Sequence, residues 1–196
     1  MSELETQETQ HLVFVYGTLK SGESNNYVLT GSANGRASLI GPARTVKKWP
    51  LVLVSPYEIP CLLPYEGIGH EVFGEVYSVD DRMLKSLDQL ESHPDIYVRS
   101  LEDVELLPQP QSANTEAEAT ARTSFPSSTV CDDISPSLRR RKVWIYILRN
   151  MEPELLSLPH VSNYTRKPGI ELPQLPREEG ESLRFLSTQF QNVSKS

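Results

Sequence analysis

The order of segments in this chain predicts an α+β fold in which strands predominate. Three observations lead there. Residues His11–Tyr16 form a near-continuous apolar run, residues 97–107 alternate apolar and polar side chains, and residues 82–91 carry one apolar stripe at helical spacing. Six segments read as strands and only one as a clear helix, an order that suits a small barrel or a curled sheet.

The first strand, His11-Leu12-Val13-Phe14-Val15-Tyr16, has the composition of a strand buried on both faces, and it stops at Gly17. The polar stretch Leu19–Tyr27 reads as a loop that turns helical toward Leu29. Gly31, Gly35, Gly41 and Pro42 are expected to punctuate further turns. Leu51–Val54 and Ile59–Leu63 are short strands bounded by prolines, which belong at sheet edges or bulges because proline cannot donate to a ladder. His70–Val79 is the next strand. Asp80-Asp81 can cap a helix over Arg82–Glu91 that ends before Pro94. Tyr97–Leu107 and Lys142–Arg149 complete the strands. The run Arg139-Arg140-Arg141-Lys142 reads as the solvated entry to the last of them.

Between those two strands, Pro108–Arg141 is rich in Pro, Ser, Thr, Ala and Gln and holds few large apolar side chains. Such a composition buries too little surface to offset its ordering entropy, so it is expected to be a disordered insertion. Tolerated surface disorder is its simplest role, and a docking segment for a protein partner is the alternative. The expected organisation is a disordered 1–10, a single domain over 11–168 interrupted at 108–141, and a weakly ordered tail over 169–196. Leu183, Leu186 and Phe190 could form one short amphipathic helix in that tail.

The chain has 196 residues, 38% of them hydrophobic, and a net charge of −7. An acidic balance with one short basic run argues against nucleic acid or an anionic membrane as the main partner. No stretch approaches the roughly 20 apolar residues of a membrane span, and the polar N-terminus lacks a signal-peptide pattern, so the expected location is cytoplasmic. Cys61 and Cys131 are then expected to be free thiols. His11, His70, His93 and His160 are scattered, no Cys-x-x-Cys pair exists, and no phosphate-binding glycine motif follows a strand. Neither a metal nor a cofactor is expected.

Two features carry chemistry. A strand ending in Tyr16-Gly17-Thr18-Leu19 allows successive backbone N–H groups to face one concavity, a receptor for an anionic or carbonyl oxygen. An ordinary strand-terminal turn is the competing reading. On the helix, each residue advances about 100°. Met83, Leu84, Leu87 and Leu90 therefore share one face, and Glu91 falls within it while Lys85 and Gln89 lie away. A carboxylate on the apolar face, at the negative end of a helix, should have a raised pKa and suit a general base near neutral pH. A paired buried Glu, or one freed by fraying of the helix end, is the alternative.

Val13-Phe14-Val15-Tyr16-Gly17-Thr18-Leu19-Lys20 followed by Gly22 resembles the opening of the γ-glutamylcyclotransferase-like fold. Further blocks resemble its γ-glutamylamine cyclotransferase branch. These are Ile59-Pro60-Cys61-Leu62-Leu63, Gly74-Glu75-Val76-Tyr77 with Asp80, Leu87-Asp88-Gln89-Leu90-Glu91 with Tyr97-Val98-Arg99, Val143-Trp144-Ile145-Tyr146, and Leu158-Pro159-His160 with Tyr164. The resemblance implies a compact mixed β-barrel with flanking short helices. It also implies an enzyme that converts γ-glutamyl-ε-lysine, the remnant of transglutaminase cross-links, to 5-oxoproline and a free amine. It puts the catalytic role on Glu91 and substrate binding on Tyr16, Gly17, Thr18 and Leu19, with Tyr97 lining the pocket. The long insertion departs from that pattern, as does Cys61, which stands where the branch carries a bulkier aromatic. The rival functions are a cyclotransferase for γ-glutamyl amino acids or peptides and a catalytically silent binding protein.

Overall fold

The computed structural model of this chain describes residues 9–54, 58–108, 139–149 and 153–167. Its strands are β1 (His11–Val15), β2 (Ala37–Trp49), β3 (Leu51–Val54), β4 (Ile59–Leu62), β5 (His70–Val79), β6 (Tyr97–Leu106), β7 (Arg140–Leu148) and β8 (His160–Val161). The helices are α1 (Tyr27–Thr30) and α2 (Asp81–Leu90). Residues 1–8, 109–138 and 168–196 lie outside the described set. The expectations for the insertion, the tail helix and Cys131 fall there.

Five strands close into a barrel in the order β1-β5-β2-β6-β7, and β4-β3-β8 form a separate three-stranded sheet. Four of the barrel pairings are antiparallel, while β7 closes on β1 in parallel at Val13↔Trp144. The barrel is therefore mixed. Pairing of β6 with β7 runs from Tyr97↔Leu148 to Glu105↔Arg140, so the two strands flanking residues 109–138 form one hairpin. Pro60 sits in β4, at an edge of the small sheet, where its missing N–H costs no ladder bond.

Alternation along each barrel strand divides the core. Phe14, Ala43, Val72, Val76, Val104, Val143 and Ile145 belong to one buried cluster, built from the barrel's own strands. Val13, Val15, Tyr77, Val79, Tyr146 and Leu148 belong to a second cluster with Met83, Leu84 and Leu87 of α2. β1 thus buries both faces, which explains its unbroken apolar sequence.

The turns expected at Gly41 and Pro42 are not formed. Both residues lie inside β2, a strand of 13 residues that sequence periodicity did not reveal. Its register against β5 shifts between Leu39 and Gly41 and again between Arg44 and Lys48, so no single alternation runs through it. Its buried positions include the small residues Gly41, Ala43 and Thr45, which give little apolar signal. Thr45 Oγ1 donates to Lys47 O (2.6 Å) and accepts from Val72 N (2.9 Å), serving backbone groups that the second irregularity frees.

α2 begins as its sequence predicts. Asp80 is the N-cap, and its carboxylate accepts from Met83 N at 2.7 Å. Arg140–Lys142 are exposed at the mouth of β7, and Lys142 Nζ lies 3.3 Å from Asp103.

Candidate active site

Glu91 is positioned by the end of α2, which does not fray. His93 N donates to Asp88 O (2.8 Å) and Ser92 N to Gln89 O (3.2 Å), with Ser92 in the left-handed region at φ 48°. This pair of bonds is a Schellman cap, with serine in the place usually given to glycine. Glu91 N itself bonds Leu87 O at 2.9 Å. The backbone of Glu91 is thus held, and the helical spacing from Leu87 turns its side chain onto the buried face.

Glu91 is half-buried as a residue, yet its carboxylate is enclosed deeply enough that burial alone raises its pKa to about 7. No hydrogen bond or ion pair to that carboxylate exists among the described residues. Its charge is felt by Tyr16, Cys61, Tyr97 and Tyr146, and in each it opposes ionisation. Burial is the larger cause in all four: it pushes the Cys61 thiol up to about 12 and the three phenols well above their ordinary range. Of these five groups, only Glu91 has a pKa near neutrality.

The hydroxyls around it are committed to the protein. Tyr16 Oη donates to Tyr146 O at 2.7 Å, Tyr97 Oη lies 3.2 Å from Cys61 Sγ, and Tyr146 Oη donates to Asp88 Oδ1 at 2.7 Å. Asp88 also pairs with Arg99 (3.1 Å), whose guanidinium lies over the Trp144 ring at 4.9 Å. Asp88, one turn before Glu91 on α2, is therefore tied to both β6 and β7. Sequence reasoning left Asp88, Arg99 and Tyr146 out of the site because their partnership spans two strands and a helix; no local spacing encodes it.

Tyr16 brings the glycine turn to this place, since it directly precedes Gly17. The backbone of Gly17 is not left-handed. A Cβ there would stand 2.7 Å from Pro60 Cγ and 3.3 Å from Pro60 Cβ, so the residue is glycine because β4 approaches so closely, not because the turn needs an unusual dihedral. Gly17→Ala is expected to cost about 1–3 kcal/mol, the range for overpacking, read as a lower urea midpoint. An unchanged midpoint would show that the Pro60 ring yields freely.

Carbonyls of the turn are satisfied within the protein: Gly17 O accepts Lys20 N (3.1 Å), Thr18 O accepts Asn25 N (2.8 Å), and Leu19 O accepts Asn26 Nδ2 (2.9 Å). Thr18 Oγ1 accepts Asn25 Nδ2 at 3.0 Å. By contrast, no acceptor among the described residues meets the N–H of Thr18 or Leu19. Two adjacent donors are left for an oxygen from elsewhere. The structure thus places Glu91 near enough to Tyr16 and Tyr97 for its charge to oppose their ionisation, with Gly17, Thr18 and Leu19 on the chain leaving Tyr16. Among the described residues, no group of three or more His, Cys, Asp or Glu is placed to hold a metal ion, and no helix is long and apolar enough to cross a membrane.

The family described as gamma-glutamyl cyclotransferase, AIG2-like, matches residues 13–166, which contain the turn, Glu91 and, but for the first two residues of β1, every barrel strand. The chain belongs to that family. Its AIG2-like barrel is similar to the crystal structure of an AIG2-like protein from Mus musculus, with a TM-score of 0.64 and 31% identity, covering 81% of this chain and 91% of that one. A gamma-glutamylaminecyclotransferase from Homo sapiens is 37% identical over 167 residues, 85% of this chain and 97% of that protein. A bovine protein of the same name is 54% identical over 88 residues, 45% of this chain. That match spans about half the length of the bovine relative, 52%.

Proposed function

We propose that this protein is a γ-glutamylamine cyclotransferase, which closes the γ-glutamyl group of its substrate into 5-oxoproline and releases the amine. The observation that carries the reading is an enclosed, unpaired Glu91 carboxyl with a pKa of about 7, in a setting where Tyr16, Cys61, Tyr97 and Tyr146 stay neutral. Such a group is suited to taking and returning one proton near neutral pH. The human and bovine relatives carry this activity in their names, which supports the choice of reaction.

The substrate supplies its own nucleophile. Its α-amine attacks the γ-carbonyl carbon, the new C–N bond closes a five-membered ring, and the original amide C–N bond breaks. No water is consumed and no covalent enzyme intermediate forms. Glu91 accepts the proton that the α-amine sheds and hands it to the nitrogen of the leaving amine. The N–H groups of Thr18 and Leu19 hold a substrate carboxylate or carbonyl oxygen, with Tyr16 and Gly17 fixing the turn. Tyr97, with its hydroxyl on Cys61, walls the cavity. Holding the chain in its folded conformer makes ring closure effectively unimolecular and preorganised. We assign the enzyme to the cytosol and to remnants of transglutaminase cross-links, in keeping with its buried free thiol Cys61.

Incubation with γ-glutamyl-ε-lysine, γ-glutamyl-alanine and glutathione, followed by assay of 5-oxoproline, tests the proposal. Product from the first alone is the expected result. Product from the second or third instead would assign a different cyclotransferase specificity, and product from none would leave a binding protein.

A further inference from the structure

The loop after the glycine turn carries a carboxylate that the reaction above does not use. Glu23 follows Lys20, whose carbonyl accepts its N–H at 3.0 Å, and Asn25 ties the loop back to the turn through Thr18 O (2.8 Å) and Thr18 Oγ1 (3.0 Å). Oε1 of Glu23 accepts Arg166 N at a long 3.4 Å. Its Oε2 is buried without a hydrogen-bond partner, and so is the neighbouring Ser24 Oγ. Leaving a charged oxygen buried and unpaired is costly, which makes it a mark of a group awaiting a partner from outside.

Two lysines near the loop have partners other than Glu23. Lys20 Nζ donates to Asn163 Oδ1 (2.7 Å) and Tyr164 O (2.6 Å), and burial lowers its pKa despite Glu23 and Glu75 nearby. Lys167 pairs with Glu58. No lysine or arginine among the described residues forms an ion pair with Glu23. The segment 163–167 that holds Lys20 and reaches Glu23 also lies against Glu58, two residues before the Pro60 that packs on Gly17. Glu23 therefore belongs to the rim of the substrate turn.

We propose that Glu23 receives the ammonium group of the amine that is released, a specificity contact that rests on the cyclotransferase reading. γ-Glutamyl-ε-lysine carries two ammonium groups. The one on its γ-glutamyl α-carbon must become neutral to attack, and Glu91 serves it. The other, on the α-carbon of the lysine part, stays charged throughout and needs a carboxylate with no part in proton transfer. Glu23, with an enclosed oxygen free of protein partners, has that chemistry, and Ser24 Oγ offers a second acceptor beside it.

The test compares γ-glutamyl-ε-lysine, γ-glutamylcadaverine (terminal ammonium, no carboxylate) and γ-glutamyl-n-pentylamine (neither) on wild type and Glu23→Gln. The glutamine keeps the acceptor for Arg166 N, and a matched thermal melt checks the fold. Wild type is expected to favour the cadaverine derivative over the pentylamine derivative. Glu23→Gln should erase that preference, raising KM for both ammonium-bearing substrates by roughly 10–100-fold, the loss of a charge-assisted contact, with a far smaller effect on the pentylamine derivative. An equal rise for all three substrates, or no rise, overturns the assignment. If wild type forms no 5-oxoproline from any of them, the catalytic reading fails separately. Titration calorimetry with the cadaverine and pentylamine derivatives then decides on Glu23: a preference for the ammonium that Glu23→Gln abolishes upholds it, and equal affinities overturn it.

Discussion

Glu91→Gln should lower 5-oxoproline formation by about 10²–10⁴-fold, the usual contribution of a positioned base, and at the same time make the protein more stable above neutral pH. The second effect follows from linkage. The folded-state pKa of Glu91 is about 7 against an ordinary 4.5. Below the ordinary value the carboxyl is protonated in both states and contributes nothing. As pH rises from 4.5 to about 7, the unfolded chain gives up this proton while the folded one retains it, so stability falls; above about 7 the full penalty applies. That penalty is on the order of 1–3 kcal/mol, and a glutamine, neutral at every pH, does not incur it. Urea unfolding of wild type and variant should therefore nearly coincide near about pH 4 and separate by about pH 8, with the variant higher. The wild-type kcat/KM should climb through about pH 7 as the base ionises, and that limb should vanish in the variant. A variant no more stable at the higher pH would mean that the carboxylate is solvated and cannot act as assigned.

Gly35→Ala is expected to lower stability by about 3–5 kcal/mol. Gly35 has φ 124° and ψ −162°, a region open essentially to glycine alone. A Cβ there would stand 2.4 Å from Met83 N, 2.6 Å from Asp80 Oδ1 and 2.9 Å from Met83 Cα. Two of those atoms are backbone in the first turn of α2, and the third is the oxygen that caps it. The cost therefore joins backbone strain of about 1–3 kcal/mol, overpacking of about 1–3, and partial loss of a cap worth about 0.5–2. These terms overlap, since any shift that relieves the clash also moves the cap. Asp80 Oδ2 further accepts Arg36 N at 2.9 Å, so the displacement cannot stay local. A thermal melt should show a fall of about 10 °C. Gly22→Ala is the control: its φ is 80° with nothing within 4 Å of the added carbon, so it should show the strain alone, about 1 kcal/mol. Equal losses in the two variants would mean that α2 is not pinned at Gly35.

Legibility in the sequence tracked how local each cause was. β1, β5, β6, β7 and α2 were readable because an apolar run, an alternation or a stripe lies within each segment. The Asp80 cap was readable because its partner is three residues away. β2 was not, since its irregularities break the period and Gly41 and Pro42 imitate a turn. Gly17 was readable as the turn after β1, but the contact that requires glycine there was not, because it comes from Pro60, distant in the sequence.

What the residues determined alone was β1, β5, β6, β7 and α2 and the placing of Glu91 on the buried stripe of that helix, because strand and helix geometry fix which side chains share a face. The tertiary structure decided the rest. It closed five strands into a mixed barrel, held the end of α2 through Asp88, Arg99 and Tyr146, and withdrew Glu91 from water beside Tyr16 and Tyr97. It also left Glu23 Oε2 buried without a partner. Each of these depends on which distant segments touch, and a proton's affinity for a carboxylate depends on how much water that contact removes.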